Sequence, residues 1–392
     1  MKKKIIRHLS LFTGCGGMDI GLRGKFYVHS KFLKNFAHKN SQILLPETKI
    51  KTVFCNDIKK ESYKFWKKNF FFKDKDCVFN LASIVDLVKK HKIEKNVFPN
   101  KIDLVTGGFP CQDFSVSGLR KGFSSHKSHL NDYNVLKINE TRGNLYLWMK
   151  EVINITQPKM FIAENVKGLI SKKEAFEIIK KDFEKTGTPY RLFTRELYAP
   201  DYGIPQSRRR VFFVGINENF IKNKNIKINE DDLFPDKEFQ KMKDLKKIYQ
   251  LYPKSKYFFT GLNEPYLEKK DLSQKYYSKA KYIKGRQGQT EVDENGIAPT
   301  IRSEHHGNIE FRFLKKKNNG KNKNIQDIQR RLTVRECARI QTFSDNLEFV
   351  FSKGTKEGIS ASVAYKLIGD AVPPLLAYKF GIKIEKFLTK HL

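Results

Sequence analysis

The chain has 392 residues, longer than one ordinary domain, and enough apolar sequence for a large core. Its formal net charge of +34 predicts a polyanionic partner, with nucleic acid as the first candidate. No apolar run approaches the length of a membrane span, and Arg7 and His8 interrupt the apolar opening, so we expect no signal peptide or membrane anchor. The five widely spaced cysteines form no C-x-x-C pair, which indicates reduced thiols in a cytoplasmic protein and no metal site.

Apolar runs that end in small or acidic residues alternate with helical stretches along the first half of the chain. This pattern predicts an α/β fold with a doubly wound, mostly parallel sheet. Strands are predicted over residues 5–12, 52–57, 76–80, 102–108, 159–165 and 210–216, and helices over 145–155 and 172–187. Ligands of such sheets bind beyond the carboxyl ends of the strands, where Gly14, Asp57, Cys111 and Glu164 are expected.

The alternation stops after about residue 217. We therefore predict a catalytic and cofactor-binding domain over 1–216, a less regular domain over 217–330, and a C-terminal segment over 331–392 that returns to the first domain. The C-terminal segment is helical in period, with an interruption at Pro373 and Pro374.

A glycine-rich stretch over residues 9–22 follows the first strand and opens a helix. Its glycines suit either a structural turn or close approach of the backbone to a ligand. The dinucleotide fingerprint fails, because Asp19 stands where the third glycine is required, so a cofactor without a pyrophosphate fits better. Asp57, at the end of the next strand, is suited to a ribose.

Cys111 follows Pro110 at the end of a predicted strand and precedes small polar residues. A cysteine chosen at random is more often a small buried hydrophobe. A thiol at a strand end beside cationic groups would instead have a lowered pKa and act as a nucleophile. Cys337, in a helical pattern, is interpreted as packing.

Two further stretches place charged groups at strand ends. Glu164 and Asn165 end an apolar strand, which indicates either a satisfied structural carboxylate or an acid in a cleft. Three consecutive arginines open a later strand, where alternation directs Arg208 and Arg210 to one face and Arg209 to the other. The alternative for these cations is a solvated basic edge.

Taken in order, these motifs resemble those of the DNA cytosine-5 methyltransferases of bacterial restriction-modification systems. The shared motifs are the glycine-rich loop, Pro-Cys-Gln, Glu-Asn-Val, Gln-x-Arg-x-Arg, an irregular variable region, Arg-Glu-Cys-Ala-Arg and Gly-Asp-Ala-Val. The resemblance covers nearly the whole chain. It implies a Rossmann-like S-adenosylmethionine-dependent methyltransferase fold with a target-recognition domain over 217–330.

The resemblance also implies S-adenosyl-L-methionine as the cofactor. Its implied contacts are Phe12, Gly14, Gly16, Gly17, Asp57, Asn80, Leu145, Asp370 and Val372. Asp57, Asn80 and Asp370 depart from the usual family residues, and Asp370 adds a charge where an asparagine is usual. The loop over 122–142 is longer than in the shortest relatives.

The implied catalytic residues are Cys111, Glu164, Arg208 and Arg210. Cys111 would attack C6 of a cytosine flipped out of the duplex, Glu164 would bind N3, and the two arginines would hold the cytosine carbonyl. Implied DNA contacts are Gln112, Ser115 and Ser117 beside the flipped base, Gln287, Arg302, His305 and His306 at base edges, and Thr300 at a phosphate.

We expect a monomer that acts on double-stranded DNA and is paired functionally with a cognate restriction endonuclease. Three alternatives stay open at this point. One is a nicotinamide or flavin oxidoreductase, which the missing third glycine disfavours. Another is a DNA-binding regulator without catalysis, which the complete set of catalytic residues disfavours. The nearest alternative is the same chemistry on tRNA.

Overall fold

The computed structural model describes residues 5–36, 41–70, 77–110, 145–239, 272–274, 297–303, 311–314, 328–352 and 354–391. The strands are β1 Ile6–Leu11, β2 Tyr27–His29, β3 Gln42–Leu44, β4 Ile50–Asp57, β5 Val78–Leu81, β6 Leu104–Gly108, β7 Met160–Val166, β8 Tyr190–Tyr198, β9 Arg209–Asn217, β10 Phe311–Leu314 and β11 Ile328–Arg331. The helices are α1 Gly17–Arg23, α2 Lys60–Asn69, α3 Ile84–Glu94, α4 Leu145–Thr156, α5 Lys173–Glu184, α6 Glu218–Asn223, α7 Val334–Ile340, α8 Ala361–Asp370 and α9 Pro374–His391.

A seven-stranded sheet has the order β5-β4-β1-β6-β7-β9-β8. The strands from β5 to β7 are parallel, whereas β9 pairs antiparallel with both β7 and β8. The carboxyl ends of the parallel strands therefore share one edge of the sheet with the amino end of β9. Val166 at the end of β7 lies opposite Arg210 near the start of β9.

Apolar side chains alternate between the two faces of the sheet, as the pleat requires. In β7, Phe161 and Ala163 belong to the core on one face and Ile162 to the core on the other. Helices α3, α4 and α5 cover the first of these faces, and α1, α2, α7, α8 and α9 cover the second. Burial on both faces gives a central strand a continuous apolar run, and this is the pattern that the sequence displays.

The C-terminal helices lie against the start of the chain. A Cβ atom on Gly21 would lie 2.3 Å from the Pro374 carbonyl oxygen and 2.4 Å from the Ala377 Cβ atom, so this glycine allows α1 and α9 to touch. Pro374 begins α9 and separates it from α8. The segment 297–303 is also attached to the sheet domain, through a bridge between Gln206 and Ala298.

The predicted doubly wound, mostly parallel sheet is confirmed, and each predicted strand is present within two residues of its expected bounds. Strand β8 of this sheet was not predicted, and neither were the short strands β2, β3, β10 and β11 outside it. The end of β9 at Asn217 coincides with the loss of alternation, while the domain boundaries themselves stay a prediction. Within the described ranges, no helix is long and apolar enough to cross a membrane.

Candidate active site

A cleft of about 1670 Å³ opens at the carboxyl edge of the sheet. Its wall combines the strand ends with the end of α8 and with residues of the segment 297–303. Among the predicted cofactor and catalytic residues, Phe12, Gly14, Gly17, Asp57, Leu145, Glu164, Arg210, Asp370 and Val372 all line this cleft. The topology thus brings together residues that lie far apart in the sequence.

The glycine loop borders the cleft through Phe12, Thr13 and Gly14. Gly14 has a φ of 55°, and a Cβ atom on it would meet no other atom within 4 Å, so the space beside it is open. Phe12 also has a positive φ, of 53°, although it is not a glycine. Such strain in a non-glycine residue is typical of functional loops.

Trp66 of α2 packs against this loop, a contact that the sequence analysis did not predict. Its Nε1 donates a hydrogen bond of 3.2 Å to the Gly14 carbonyl oxygen. The indole ring lies so close to Gly16 that a Cβ atom there would be 2.9 Å from it. Gly16 therefore contacts Trp66 and does not line the cleft. Gly17 instead lies against the Val372 carbonyl oxygen, which would be 2.3 Å from a Cβ atom on Gly17.

Asp57 holds the loop from the side. Its carboxylate accepts one hydrogen bond of 2.8 Å from the Gly14 backbone N–H and another of 2.8 Å from the Lys59 N–H. Burial raises the pKa of Asp57, and these two hydrogen bonds oppose the shift. Asp57 is thus both a candidate ribose ligand and a structural support of the glycine loop.

Asp19, which replaces the third glycine of a dinucleotide fingerprint, is buried beneath the same loop. It accepts hydrogen bonds from the hydroxyl of Thr13 at 2.6 Å and from that of Ser10 at 3.1 Å. Burial raises its pKa, and these hydroxyl donors oppose that shift. This carboxylate therefore helps to fix the loop conformation.

The negative charge of Asp370 is paired with the positive charge of Lys59. The Lys59 Nζ atom lies 2.9 Å from the Asp370 Oδ2 atom, and both side chains are about half exposed at the cleft wall. Asn80 is placed differently, since it lies in β5 outside the cleft lining, and the following residues Ala82 and Ser83 line the cleft instead. The Asn80 carbonyl oxygen accepts a hydrogen bond from the Asn56 side chain.

Glu164 and Arg210 form an ion pair at the junction of β7 and β9. Arg210 Nε lies 2.9 Å from Glu164 Oε1, and Glu164 is only 7% exposed. Burial raises the pKa of Glu164, while Arg210 and Arg208 oppose the rise. Gly108 leaves room for the carboxylate, because a Cβ atom there would lie 3.0 Å from Glu164 Oε2. The site therefore holds a carboxyl group that ionises less readily than a carboxyl in water.

Asn165 fixes the chain that leads to the predicted nucleophile. The sequence analysis did not predict this structural role. The Asn165 Nδ2 atom donates a hydrogen bond of 3.0 Å to the Phe109 carbonyl oxygen, directly before Pro110. Pro110 lines the cleft. Cys111 and the predicted DNA contacts Gln112, Ser115 and Ser117 lie outside the described residues, as does the 122–142 loop.

Arg208 does not occupy the place expected of a residue that holds a cytosine carbonyl. It is 2% exposed and is not part of the cleft lining, because its guanidinium donates to backbone carbonyls in the protein interior. Arg209 and Arg210 line the cleft instead. Arg209 also stacks over the ring of Tyr198 at 4.1 Å and pairs with Glu196. The predicted placement of Arg208 on the same face as Arg210 is therefore wrong, while the contact of Arg210 with a cytosine carbonyl stays a prediction.

The segment 297–303 contributes two of the predicted DNA contacts to the cleft wall. Arg302 is exposed there. Thr300 donates its hydroxyl proton to the Ser207 carbonyl oxygen at 2.7 Å, so this O–H stabilises the local fold and is not free to donate to a phosphate. Gln287, His305 and His306 lie outside the described residues.

Comparison with known proteins decides the family. The model of the C-5 cytosine-specific DNA methylase family matches residues 6–386. The chain belongs to this family. The Type II methyltransferase M.FnuDI of Fusobacterium nucleatum is 30% identical to this methylase over 97% of its chain and 94% of the relative. M.NgoPII of Neisseria gonorrhoeae is 28% identical over 97% and 96% of the two chains.

The fold of this methylase is also similar to a solved structure. The crystal structure of the S. pombe Dnmt2 methyltransferase superposes with a TM-score of 0.56 and 15% identity, over 97% of this chain and 99% of the other. Membership of the methylase family implies S-adenosylmethionine as the methyl donor.

Proposed function

We propose that this methylase transfers a methyl group from S-adenosylmethionine to C5 of a flipped-out cytosine in duplex DNA. The observation that carries the proposal is the buried Glu164–Arg210 ion pair, which lies in the same cleft as the glycine loop and beside the strand end that leads to Cys111. One cleft can thereby receive both a cofactor and an extruded base. A base inside a duplex cannot reach such a site, so it must leave the stack.

The cleft suits the proposed cofactor. The backbone of Gly14 borders open space. Asp57 is held at the strand end, where its carboxylate oxygens can accept hydrogen bonds from ribose hydroxyls. Lys59 and Asp370 pair with each other at the cleft wall. When bound, S-adenosylmethionine supplies an electrophilic methyl group on a sulfonium. Asp57, Gly14, Gly17 and Val372 would hold it.

The residues of the chain would divide the reaction as follows. The Cys111 thiolate adds to C6 of the cytosine while the protonated Glu164 carboxyl gives its proton to N3, so that C5 becomes nucleophilic. Arg210 orients Glu164 and donates to the cytosine carbonyl oxygen. After C5 has taken up the methyl group, it loses its proton to solvent, N3 returns its proton to Glu164, and the carbon–sulfur bond breaks so that Cys111 leaves as a thiolate.

Glu164 is suited to this proton transfer by its surroundings. A carboxyl in water is ionised near neutrality, and burial raises the pKa of Glu164 toward the working range of a general acid. Arg210 limits that rise and fixes the carboxylate within 2.9 Å. Together the two residues can hold and release one proton at cytosine N3.

Arg302, on the cleft wall, and the predicted recognition residues Gln287, His305 and His306 would select the DNA sequence. The net charge of +34 supports a duplex substrate, because each phosphate contact releases counterions. The relatives named Type II methyltransferases support a role in protecting DNA from a cognate restriction endonuclease.

Bisulfite sequencing of DNA and tRNA from cells that express the chain tests the function. We expect one DNA sequence context to resist conversion with the wild-type chain and to be converted with Glu164→Gln. Genomic DNA carrying this modification should also resist a restriction endonuclease that cuts in the same context. Protection confined to tRNA would replace the DNA proposal by its RNA alternative, and protection in neither would overturn both.

A further inference from the structure

Arg208 joins two parts of the chain that the proposed reaction must coordinate. Its guanidinium donates to the Ile301 carbonyl oxygen at 3.1 Å, on the segment 297–303 that contributes Arg302 to the cleft. It also donates to the carbonyl oxygens of Gly369 at 3.1 Å and Ala371 at 2.9 Å. Gly369 and Ala371 flank Asp370, and all three residues line the cleft.

Two buried glutamines extend this connection. Gln206 accepts a hydrogen bond of 2.9 Å from the Ile301 N–H and donates one of 2.6 Å to Gln341. Gln341 in turn donates to the carbonyl oxygens of Ile368 at 2.8 Å and Ala371 at 3.0 Å. The segment 297–303 and the turn after α8 are thus linked twice, once through Arg208 and once through the glutamine pair.

The two backbones also touch directly. A Cβ atom on Gly369 would lie 2.2 Å from the carbonyl carbon of Arg302, so only glycine permits this approach. Movement of the Arg302 backbone must therefore displace the turn that carries Asp370, or break the hydrogen bonds of Arg208. Tight packing of this kind transmits displacement because interiors are close-packed.

The burial of Arg208 is unfavourable for its charge. Burial and, second to it, the nearby positive charge of Arg210 lower its pKa to about 9, while Glu164 and Asp370 oppose the shift. Backbone carbonyls from two chain segments satisfy its terminal nitrogens. A lysine has a single ammonium group and cannot reproduce the planar fork that spans both segments.

We propose that Arg208 is a positioning residue that couples cofactor binding to DNA binding by fastening the segment 297–303 to the turn 368–372. The proposal rests on the proposed function, since it takes S-adenosylmethionine and duplex DNA as the two ligands. Occupancy of the cofactor site fixes the turn, and the turn then fixes the backbone that presents Arg302 to DNA. By linkage, DNA must strengthen cofactor binding by the same factor.

The test measures the coupling factor directly. The Kd of a duplex that contains the target site is measured with and without saturating S-adenosylhomocysteine. The Kd of S-adenosylhomocysteine is measured with and without that duplex. For the wild-type chain we expect both ratios to agree and to be at least about 5-fold. For Arg208→Lys we expect both ratios to fall toward 1. Arg191→Lys, which alters an exposed arginine paired with Glu218 away from the cleft, should keep the wild-type ratio.

A second measurement separates positioning from direct catalysis. With both ligands saturating, Arg208→Lys should form a covalent adduct with 5-fluorocytosine DNA at close to the wild-type rate, whereas Arg210→Lys should be slow. Gln341→Leu removes the parallel link without touching Arg208, so it should also lower the coupling factor and serves if Arg208→Lys does not fold.

An unchanged coupling factor in the variants, or a wild-type factor of 1, would overturn the proposal. Adduct formation as slow in Arg208→Lys as in Arg210→Lys would also overturn it, because Arg208 would then act on the cytosine directly. Failure of the wild-type chain to bind either ligand would instead count against the proposed function.

Discussion

Asp57→Asn should destabilise the protein even when no cofactor is present, because Asp57 is a support of the glycine loop. The carboxylate accepts from the Gly14 N–H and the Lys59 N–H, each at 2.8 Å. An asparagine offers one carbonyl oxygen and directs its NH2 group at the other donor. Leaving one partly buried N–H without an acceptor costs about 1–3 kcal/mol.

For a chain of 392 residues, an unfolding entropy of about 2.1 cal/mol/K per residue converts that cost into a fall in Tm of about 1–4 °C. The assay is thermal unfolding of wild type and variant, followed by calorimetric titration with S-adenosylhomocysteine. Asp86→Asn, which removes an exposed carboxylate from the same cleft, should leave Tm unchanged. If Asp57→Asn weakened cofactor binding while melting like the wild type, Asp57 would be a ligand only and the reasoning would be refuted.

Other substitutions probe the surroundings of the cleft. Burial lowers the pKa of His8 to about 3, below its value of 6.5 in the unfolded chain. The free energy of unfolding should therefore fall by about 1.4 kcal/mol per pH unit as the pH drops from 6.5 toward 3, because over that range only the unfolded chain takes up the proton. His8→Gln should reduce this pH dependence in denaturation measured between pH 7 and pH 5. Lys59→Ala breaks a half-exposed pair with Asp370, so S-adenosylhomocysteine affinity by calorimetry should fall less than about 5-fold, and a larger loss would show a direct contact. Trp66→Phe removes the hydrogen bond to the Gly14 carbonyl and should lower the unfolding free energy in urea by about 0.5–1.5 kcal/mol, with an unchanged value arguing against this support.

The position of the site could be predicted from the sequence because it depends on strand ends. Gly14, Asp57 and Glu164 each follow or end an apolar strand, and parallel strands bring such ends to one edge. β8 was missed for the converse reason. It is the last strand of the sheet order, so its side chains are mostly half-buried and charged residues interrupt its apolar pattern.

Long-range contacts were beyond the reach of pattern reasoning. Alternation placed Arg208 beside Arg210, but Arg208 precedes β9 and its partners Ile301 and Gly369 are 93 and 161 residues away. Similarly, nothing local to Asp57 shows that it accepts from Gly14, 43 residues earlier. Hydrogen bonds between distant segments depend on the packed fold, which periodicity does not describe.

Covalent trapping tests the central claim most directly. A duplex with 5-fluorocytosine at the target position, mixed with the methylase and S-adenosylmethionine, should form an adduct that survives denaturation and maps to Cys111, because fluorine cannot leave C5 as a cation. Cys111→Ser should abolish the adduct, while Cys337→Ser should retain it, since Cys337 is fully buried in α7. An adduct that forms equally well without Cys111, or no adduct on a confirmed target site, would contradict the account.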